Sequence, residues 1–270
     1  GKKMLDKNQA NWGKRESTKQ NLRGLGFESL DELFRNDEGI SLYDPSVIED
    51  VSYLELEGKK LEKDALVKVG EVIQFLASFT LFFLFLPIGI LIALIMKISS
   101  PSEPIFFTQK RVGKGGKEFD VIKFRTMIVG AENKTGAVLS WNGDPRITPL
   151  GSFLRKSHLD EIPQLINVLK SEMNLIGPRP ERPEFTNSYN KSVYGYKYRE
   201  LVKPGITGLA QIAAEYDAIA EKKIVYDLYY IRHRNSLGLL LTIALSTALK
   251  MLAYRSHAKI VKKAMRVSYV

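Results

Sequence analysis

The chain has 270 residues and no cysteine, and its 40 Lys plus Arg outnumber its 30 Asp plus Glu for a formal charge of +10. Disulfides and thiolate metal sites are therefore excluded, and His158, His233 and His257 lie too far apart to show zinc-ligand spacing. The charge excess favours anionic partners, whether nucleic acid, phosphorylated substrates or an acidic membrane surface, and the length allows one large domain or two small ones.

The chain opens Gly1-Lys2-Lys3 without an initiator Met, which reads as a trimmed or partial chain and not as a signal peptide. Ser29 to Glu32 is a capping-box pattern ahead of a short helix, and Tyr43-Asp44-Pro45-Ser46 is a turn signal. Residues 1–65 carry no apolar pattern strong enough for a core of their own. They are expected to form an accessory segment, the remainder of a longer N-terminal region.

Val72 to Met96 contains no charged residue. Twenty-five such residues exceed the ~20 that a helix needs to cross the hydrocarbon core, and five Phe with almost no polar face do not suit a buried soluble helix. Pro87 sits near the middle. It has no N–H for the carbonyl of Phe83, so a kink is expected there. Both flanks are rich in lysine, with Lys59, Lys60, Lys63 and Lys68 before the segment and Lys97, Lys110, Arg111, Lys114 and Lys117 after it. Positive flanks stay on the cytoplasmic side. A helix that enters, bends at Pro87 and returns to the same face satisfies both flanks; a kinked spanning helix is the alternative from residues alone.

Residues 105 to 127 read as two short strands around the turn at Gly113 to Gly116. The GKGGK string lacks phosphate-loop spacing, so a hairpin tip is the better reading. Lys123 and Arg125 alternate with apolar neighbours and share one strand face, opposite Phe124. Asp144-Pro145 marks a turn, and Ile147 to Lys156 reads as a short helix or strand. Glu161 to Lys170 has a helical period through Ile162, Leu165, Ile166 and Leu169. With Asp160 as N-cap, Pro163 falls in the first turn, where it is tolerated. Asp160 and Glu161 would then sit at the positive end of a helix dipole, which keeps Asp160 ionised and suits either capping or phosphate binding. Pro178, Pro180 and Pro183 pre-set an extended strip that projects Arg179 and Arg182 from one face, and a guanidinium fork suits phosphate oxygens. A divalent cation such as Mg²⁺ would take one or two of the carboxylates and complete its shell with water and phosphate oxygens.

The ordered blocks FTQKRVG, FDVIKFRTM, DPRITPLGSFLRK, LDEIPQLINVLKSEMNLIGPRPERPEF, VKPGITGLAQI and YDLYYIRH closely resemble the bacterial sugar transferase family, the monotopic phosphoglycosyl transferases, from about Val69 to Met251. The resemblance implies transfer of a sugar 1-phosphate from a nucleotide diphosphate sugar, a UDP-sugar, to polyprenyl (undecaprenyl) phosphate with release of UMP. In that family this is the first membrane step of exopolysaccharide, capsule, O-antigen or glycoprotein glycan assembly. By analogy Asp160 is the nucleophile that forms an aspartyl phosphosugar, and Glu161 helps hold Mg²⁺. Arg155 would contact phosphate, Lys123 and Arg125 would lie in the site, and Pro178, Arg179 and Pro180 would lie near the nucleotide, with Arg182 alongside. The resemblance also implies a re-entrant helix and a place on the cytoplasmic face of the bacterial inner membrane. The family's Ser-Pro break is replaced here by Leu86-Pro87.

The expected fold class is α/β in the α+β sense, mostly helical. A membrane helix at 66–100, kinked at Pro87, precedes a compact cytosolic catalytic domain at 101–255 with a short β-hairpin, and a basic tail fills 256–270. Residues 237–252 are too short to span and are expected to form an interfacial helix. The expected partners are the nucleotide sugar, the polyprenyl phosphate and the phospholipid membrane; no nucleic-acid motif accompanies the charge, so no nucleic acid is expected. Two other classes share parts of the pattern: a nucleotide-sugar glycosyltransferase, which would release a nucleoside diphosphate, and a catalytically inactive membrane scaffold.

Overall fold

The computed structural model describes residues 60–252 except 134–135, 137, 139, 142 and 215–219. The capping box at Ser29, the turn at Tyr43 and the tail at 256–270 lie outside the described residues.

Helix α1 runs unbroken from Ala65 to Ser99, with Pro87 inside it. At 1.5 Å per residue it is about 50 Å long. Asp64 caps its start by accepting from the Leu66 N–H at 2.8 Å. By length and composition α1 could cross a membrane. Its burial falls in two patches. Val67, Gly70, Gln74 and Ser78 form a stripe at helical spacing near the start, and Ile92 and Met96 are buried near the end. Between and around them Phe79, Phe83, Leu84, Ile90 and Leu91 are exposed.

The two ends of α1 pack on the same body. Gly70 lies under Leu240, where a Cβ would stand 3.0 Å from the leucine Cδ1. One turn on, the Gln74 side chain accepts from the Ile176 N–H at 2.9 Å. At the other end Ile92 and Met96 join Phe124 and Leu154 in an apolar cluster. Pro87 and Gly89 lie between these anchor points.

Strands β1 (Phe106–Val112) and β2 (Glu118–Phe124) form the expected antiparallel hairpin, pairing Phe106 with Phe124 and Val112 with Glu118. Gly115 and Gly116 both have positive φ in the turn between them, a conformation glycine adopts without the Cβ penalty. Helix α2 (Pro149–Lys156) starts at Thr148, whose hydroxyl accepts from the Gly151 N–H, and carries Pro149 in its first turn. Of the two expectations for 147–156, helix is the one observed. Helix α3 (Gln164–Leu169) follows the acid pair.

Beyond α3 the chain makes a small parallel sheet that the sequence reading did not anticipate, β3 (Asn174–Ile176) beside β4 (Gly205–Thr207). Between them lie α4 (Pro183–Ser192) and a 3-10 segment at Tyr196–Leu201. Helices α5 (Leu209–Ala213), α6 (Ala220–His233) and α7 (Leu237–Leu252) complete the described fold. The largest core cluster joins β3, the 3-10 segment, α5, α6 and α7, with Leu209, Leu228, Ile231 and Ile243 almost fully buried. On α7, Leu239, Leu240 and Ile243 face that core while Leu237, Leu241, Leu245 and Leu249 form an exposed stripe. Among its described side chains, the exposed positions of this helix are leucine, alanine and glycine.

Gly151 is where the backbones come closest: a Cβ there would stand 2.0 Å from the Thr126 main-chain oxygen. Gly151→Ala is therefore expected to cost about 1–3 kcal/mol as an overpacked contact, read as a lower thermal midpoint of the detergent-solubilised protein. Ser152→Ala, next to it, is expected to stay within about 0.5 kcal/mol; equal midpoints for the two variants would remove the close approach.

Candidate active site

The acid pair sits on a 3-10 turn, Leu159–Glu161, entered through His158 in the left-handed region at φ 57°. Histidine is one of the few non-glycine residues seen there with any frequency. The reversal stops α2 and swings Asp160 and Glu161 toward β2. This corrects the expectation that Asp160 caps the next helix. That helix begins at Gln164 after Pro163, and neither residue of the acid pair caps it. The reason is local: Glu161 and Ile162 donate their N–H groups three residues back, to His158 and Leu159, which closes the tight turn before Pro163.

What holds that turn against β2 is Asn167, which is fully buried (0% exposed). Its side-chain oxygen accepts from the Ile122 N–H at 3.1 Å, and its amide donates to the Asp120 carbonyl at 2.8 Å and to Glu172 at 2.7 Å. The side chain thus stands in for a neighbouring strand at the edge of β2. Leaving those two main-chain groups unpaired would cost about 1–3 kcal/mol each. Along the sequence Asn167 is only an amide between apolar residues of α3, with nothing to mark its partners on β2.

With α3 docked, Lys123 on β2 reaches Glu161 Oε1 at 2.8 Å, and Arg179 Nη2 reaches the same oxygen at 2.8 Å. Burial by itself would raise the Glu161 pKa. Arg179 and Lys123 outweigh it and hold the carboxyl well below its ordinary range. Arg179 is pushed up in turn, chiefly by Glu161. Arg179 keeps 43% of its side-chain surface, so solvent screens part of that attraction, and Lys123, at 20%, is the drier partner.

Asp160 is the opposite case. It is 8% exposed and forms no hydrogen bond or ion pair with the described residues. Burial raises its pKa and the neighbouring Glu161 adds to the effect, while Lys123, Arg155 and Arg179 act against them. The expected helix dipole does not keep this group ionised; the surrounding cations do what stabilising is done. An anionic oxygen without a donor, set among three cations, is available to a phosphorus centre.

The other expected residues divide. Arg155 lies close enough to influence Asp160 but donates to Thr126 Oγ1 and Ser140 Oγ at 2.8 and 2.9 Å. Arg125 falls just past the end of β2. It pairs with Glu103 and donates to the Pro104 carbonyl at 2.7 Å, so it does not join Lys123 at Glu161. Arg182 bonds Glu132 at 2.7 Å rather than converging with Arg179. Pro178 and Pro180 shape a pocket shared with Arg179, Tyr196 and Arg199. Their carbonyls accept from the Gly205 N–H and from Arg111.

Two residues in that pocket's support were not singled out from sequence. Arg199 donates to the Arg179 carbonyl at 2.6 Å, to Tyr196 Oη at 2.6 Å and to Asp227 at 2.8 Å. Asp227 on α6 is 2% exposed, so the main chain at Arg179 is tied to the deepest core through one buried ion pair. Asp227 lies in the YDLYYIRH block, but nothing in one-dimensional spacing marks its partner.

A metal fits the donor set in one way. Among the described residues no three His, Asp or Glu side chains converge. Asp160 and the second oxygen of Glu161, whose hydrogen bonds both end on Oε1, remain free of donors. Mg²⁺ commonly takes one or two carboxylates and fills its shell with water and substrate phosphate oxygens.

Comparison with known proteins adds to this geometry. Residues 66–254, more than half of the chain, match the bacterial sugar transferase family. A UDP-glucose:undecaprenyl-phosphate glucose-1-phosphate transferase of Xanthomonas campestris is 38% identical over 256 residues, covering 90% of this chain and 52% of that protein. Coverage that wide cannot come from residues 66–270 alone, so the likeness reaches back into the N-terminal segment. A UDP-N-acetylgalactosamine-undecaprenyl-phosphate N-acetylgalactosaminephosphotransferase of Aeromonas hydrophila is 43% identical over 153 residues, 56% of this chain and 36% of that one. A putative undecaprenyl-phosphate N-acetylgalactosaminyl 1-phosphate transferase of Bacillus subtilis is 46% identical over 114 residues, 42% of this chain and 63% of that one. The chain thus spans less than two thirds of each of these relatives.

The unequal state of the two acids has a measurable consequence. Asp160→Asn removes an uncompensated buried charge and is expected to raise the thermal midpoint at neutral pH. Because the folded pKa of Asp160 is raised, that gain fades as pH falls through it and is absent once the carboxyl is protonated in both the folded and unfolded states. Glu161→Gln strands two cations and is expected to cost about 2 kcal/mol, less than a fully buried pair because Arg179 is partly solvated. Unfolding curves at several pH values check both signs; destabilisation by Asp160→Asn at neutral pH would show that the carboxylate has a partner.

Proposed function

The chain belongs to the bacterial sugar transferase family, and from that premise we propose that it moves a sugar 1-phosphate from a UDP-sugar to polyprenyl phosphate at a membrane surface. The observation that carries this reading is an Asp160 carboxylate that meets no donor among the described residues, beside a Glu161 that already holds Lys123 and Arg179. The relatives' names point to the same reaction class.

In the first step an Asp160 oxygen attacks the phosphorus that bears the sugar. A P–O bond to Asp160 forms, the diphosphate bridge breaks, and its electron pair leaves with UMP. In the second step a phosphate oxygen of the polyprenyl phosphate attacks the same phosphorus. The Asp160–P bond breaks, and the carboxylate is restored as the lipid diphosphosugar departs. Each displacement needs an in-line approach and charge neutralisation more than basicity. Lys123 and Arg179 fix Glu161 so that it cannot swing onto Asp160, and Arg155 and Arg179 lend positive potential where phosphate oxygens gather. Mg²⁺ held by Glu161, with Asp160 adjacent, would supply neutralisation of diphosphate charge.

The proposal includes a re-entrant α1 at the cytoplasmic face of a bacterial membrane. Both buried patches of α1 pack on one body, which supports the two ends sharing one side, and Pro87 lies between them where a bend costs least. The exposed leucine stripe of α7 suits the same surface. An enzyme placed there can meet a water-soluble donor and a lipid acceptor in turn.

With a UDP-sugar panel and no acceptor, intact mass is expected to show a phosphosugar adduct that Asp160→Asn lacks, together with loss of UMP release by at least about a thousandfold. A normal adduct in that variant would take the nucleophile role away from residue 160. Because the chain has no cysteine, single cysteines just before Val72 and just after Met96 report topology cleanly. Both are expected to label from the cytoplasm; labelling from opposite sides would mean that α1 spans.

A further inference from the structure

A second cleft, of about 300 Å³, opens between the first turns of α1, the hairpin turn, β3 and α6. It shares Val202 with the pocket beside Arg179 and none of Lys123, Asp160, Glu161 or Arg179, so it belongs to neither half of the reaction above. Its volume is at the lower end of the range for small-molecule sites. Lys68, Lys114, Lys203 and Arg234 line it against Glu62 and Glu71, which leaves an excess of two positive charges.

Those charges are not all committed. Lys114 is paired with Glu62. Arg234 is buried, feels both Glu62 and Glu71, and donates to the Ile231 carbonyl. The Lys68 and Lys203 ammonium groups make no ion pair or hydrogen bond with the described residues. Gln74 adds a second kind of donor. It is 7% exposed, its oxygen accepts from the Ile176 N–H at 2.9 Å, and its amide nitrogen has no described partner. An amide donor that opens onto the cleft, in a wall that also carries two ammonium groups without a partner among the described residues, suits an acceptor-rich anion.

The position of the cleft says where that anion comes from. Lys68 lies one turn before Val72, where the charge-free stretch begins, so it sits about 6 Å along the helix axis from the apolar segment. That is the depth of lipid phosphates when the segment is in the hydrocarbon. Leu66, Val69, Val72 and Ile73 are exposed on the same turns, and acyl chains could lie along them. We propose that this cleft binds the phosphate ester of an anionic glycerophospholipid headgroup, a lipid contact separate from the donor and acceptor phosphates at Asp160.

Native mass spectrometry of the detergent-purified full chain, titrated with short-chain phosphatidylglycerol, phosphatidylcholine of the same chain length, and glycerol 1-phosphate, tests this. Phosphatidylglycerol is expected to bind at least about tenfold more tightly than phosphatidylcholine. The double variant Lys68→Glu/Lys203→Glu is expected to lose that preference, whereas Lys110→Glu/Lys117→Glu, an equal change in net charge on the exposed hairpin, is expected to keep it. A preference that survives in the first variant, or is lost equally in the second, would overturn the site. Displacement of the lipid by glycerol 1-phosphate at matched concentration would overturn the lipid assignment in favour of a soluble phosphate ester. The Asp160 adduct measured in the same samples keeps the outcome separate from the transferase reading.

Discussion

One carboxylate oxygen organises this protein. Glu161 Oε1 receives both Lys123 and Arg179, at 2.8 Å each, and that double pairing makes two adjacent acids unlike. Glu161 is an ionised strut whose charge is answered on the spot. Asp160, one residue away, carries a carboxylate that burial disfavours and that no donor among the described residues relieves. A free-standing Asp-Glu pair in water would be two nearly equal acids. Here they are separated in role by where β2 and the strip after Gly177 deliver their cations. Much of the remaining architecture can be read as the scaffolding that brings those two cations to that atom.

Three buried polar side chains do this scaffolding. Asn167 completes the hydrogen bonding of the β2 edge and so sets the distance from Lys123 to the acid turn. Arg199, held by Asp227, grips the main chain at Arg179. Gln74 ties α1 to the Ile176 N–H, two residues before Pro178. Each is a polar group in an otherwise apolar setting, where an unmet hydrogen bond is costly and a met one is highly directional. Apolar clusters supply most of the cohesion, but they would tolerate sliding that these contacts do not.

Helix α1 follows the same logic at larger scale. Its exposed flank is apolar over several turns, a surface that suits lipid, while its two ends are pinned to one body by Gln74 and by the Phe124 cluster. The acid turn packs beside that second cluster, with Leu159 and Ile162 against it. The site and the long apolar helix therefore share one set of contacts. That coupling suits chemistry in which a phosphate on a lipid must reach a fixed oxygen.

Sequence alone determined the parts whose signal is local. A charge-free run of 25 residues, the hairpin with its glycine turn, the acid pair, the arginine between prolines and the ordered blocks of the family could all be read from residue type and spacing. It misjudged the acid pair's setting, because a helical period running through Ile162 to Leu169 does not reveal that Pro163 and a left-handed His158 break the turn away from the helix. It grouped Arg125 with Lys123, because alternation along a strand does not show where pairing stops. The β3–β4 pair, the Asn167 edge contact and the Arg199–Asp227 tie were decided only in three dimensions. Each joins residues far apart in the chain through a hydrogen bond, and such bonds leave no periodicity along the sequence. Which of two neighbouring carboxylates keeps its charge unpaired is settled by those distant donors, so only the tertiary structure could decide it.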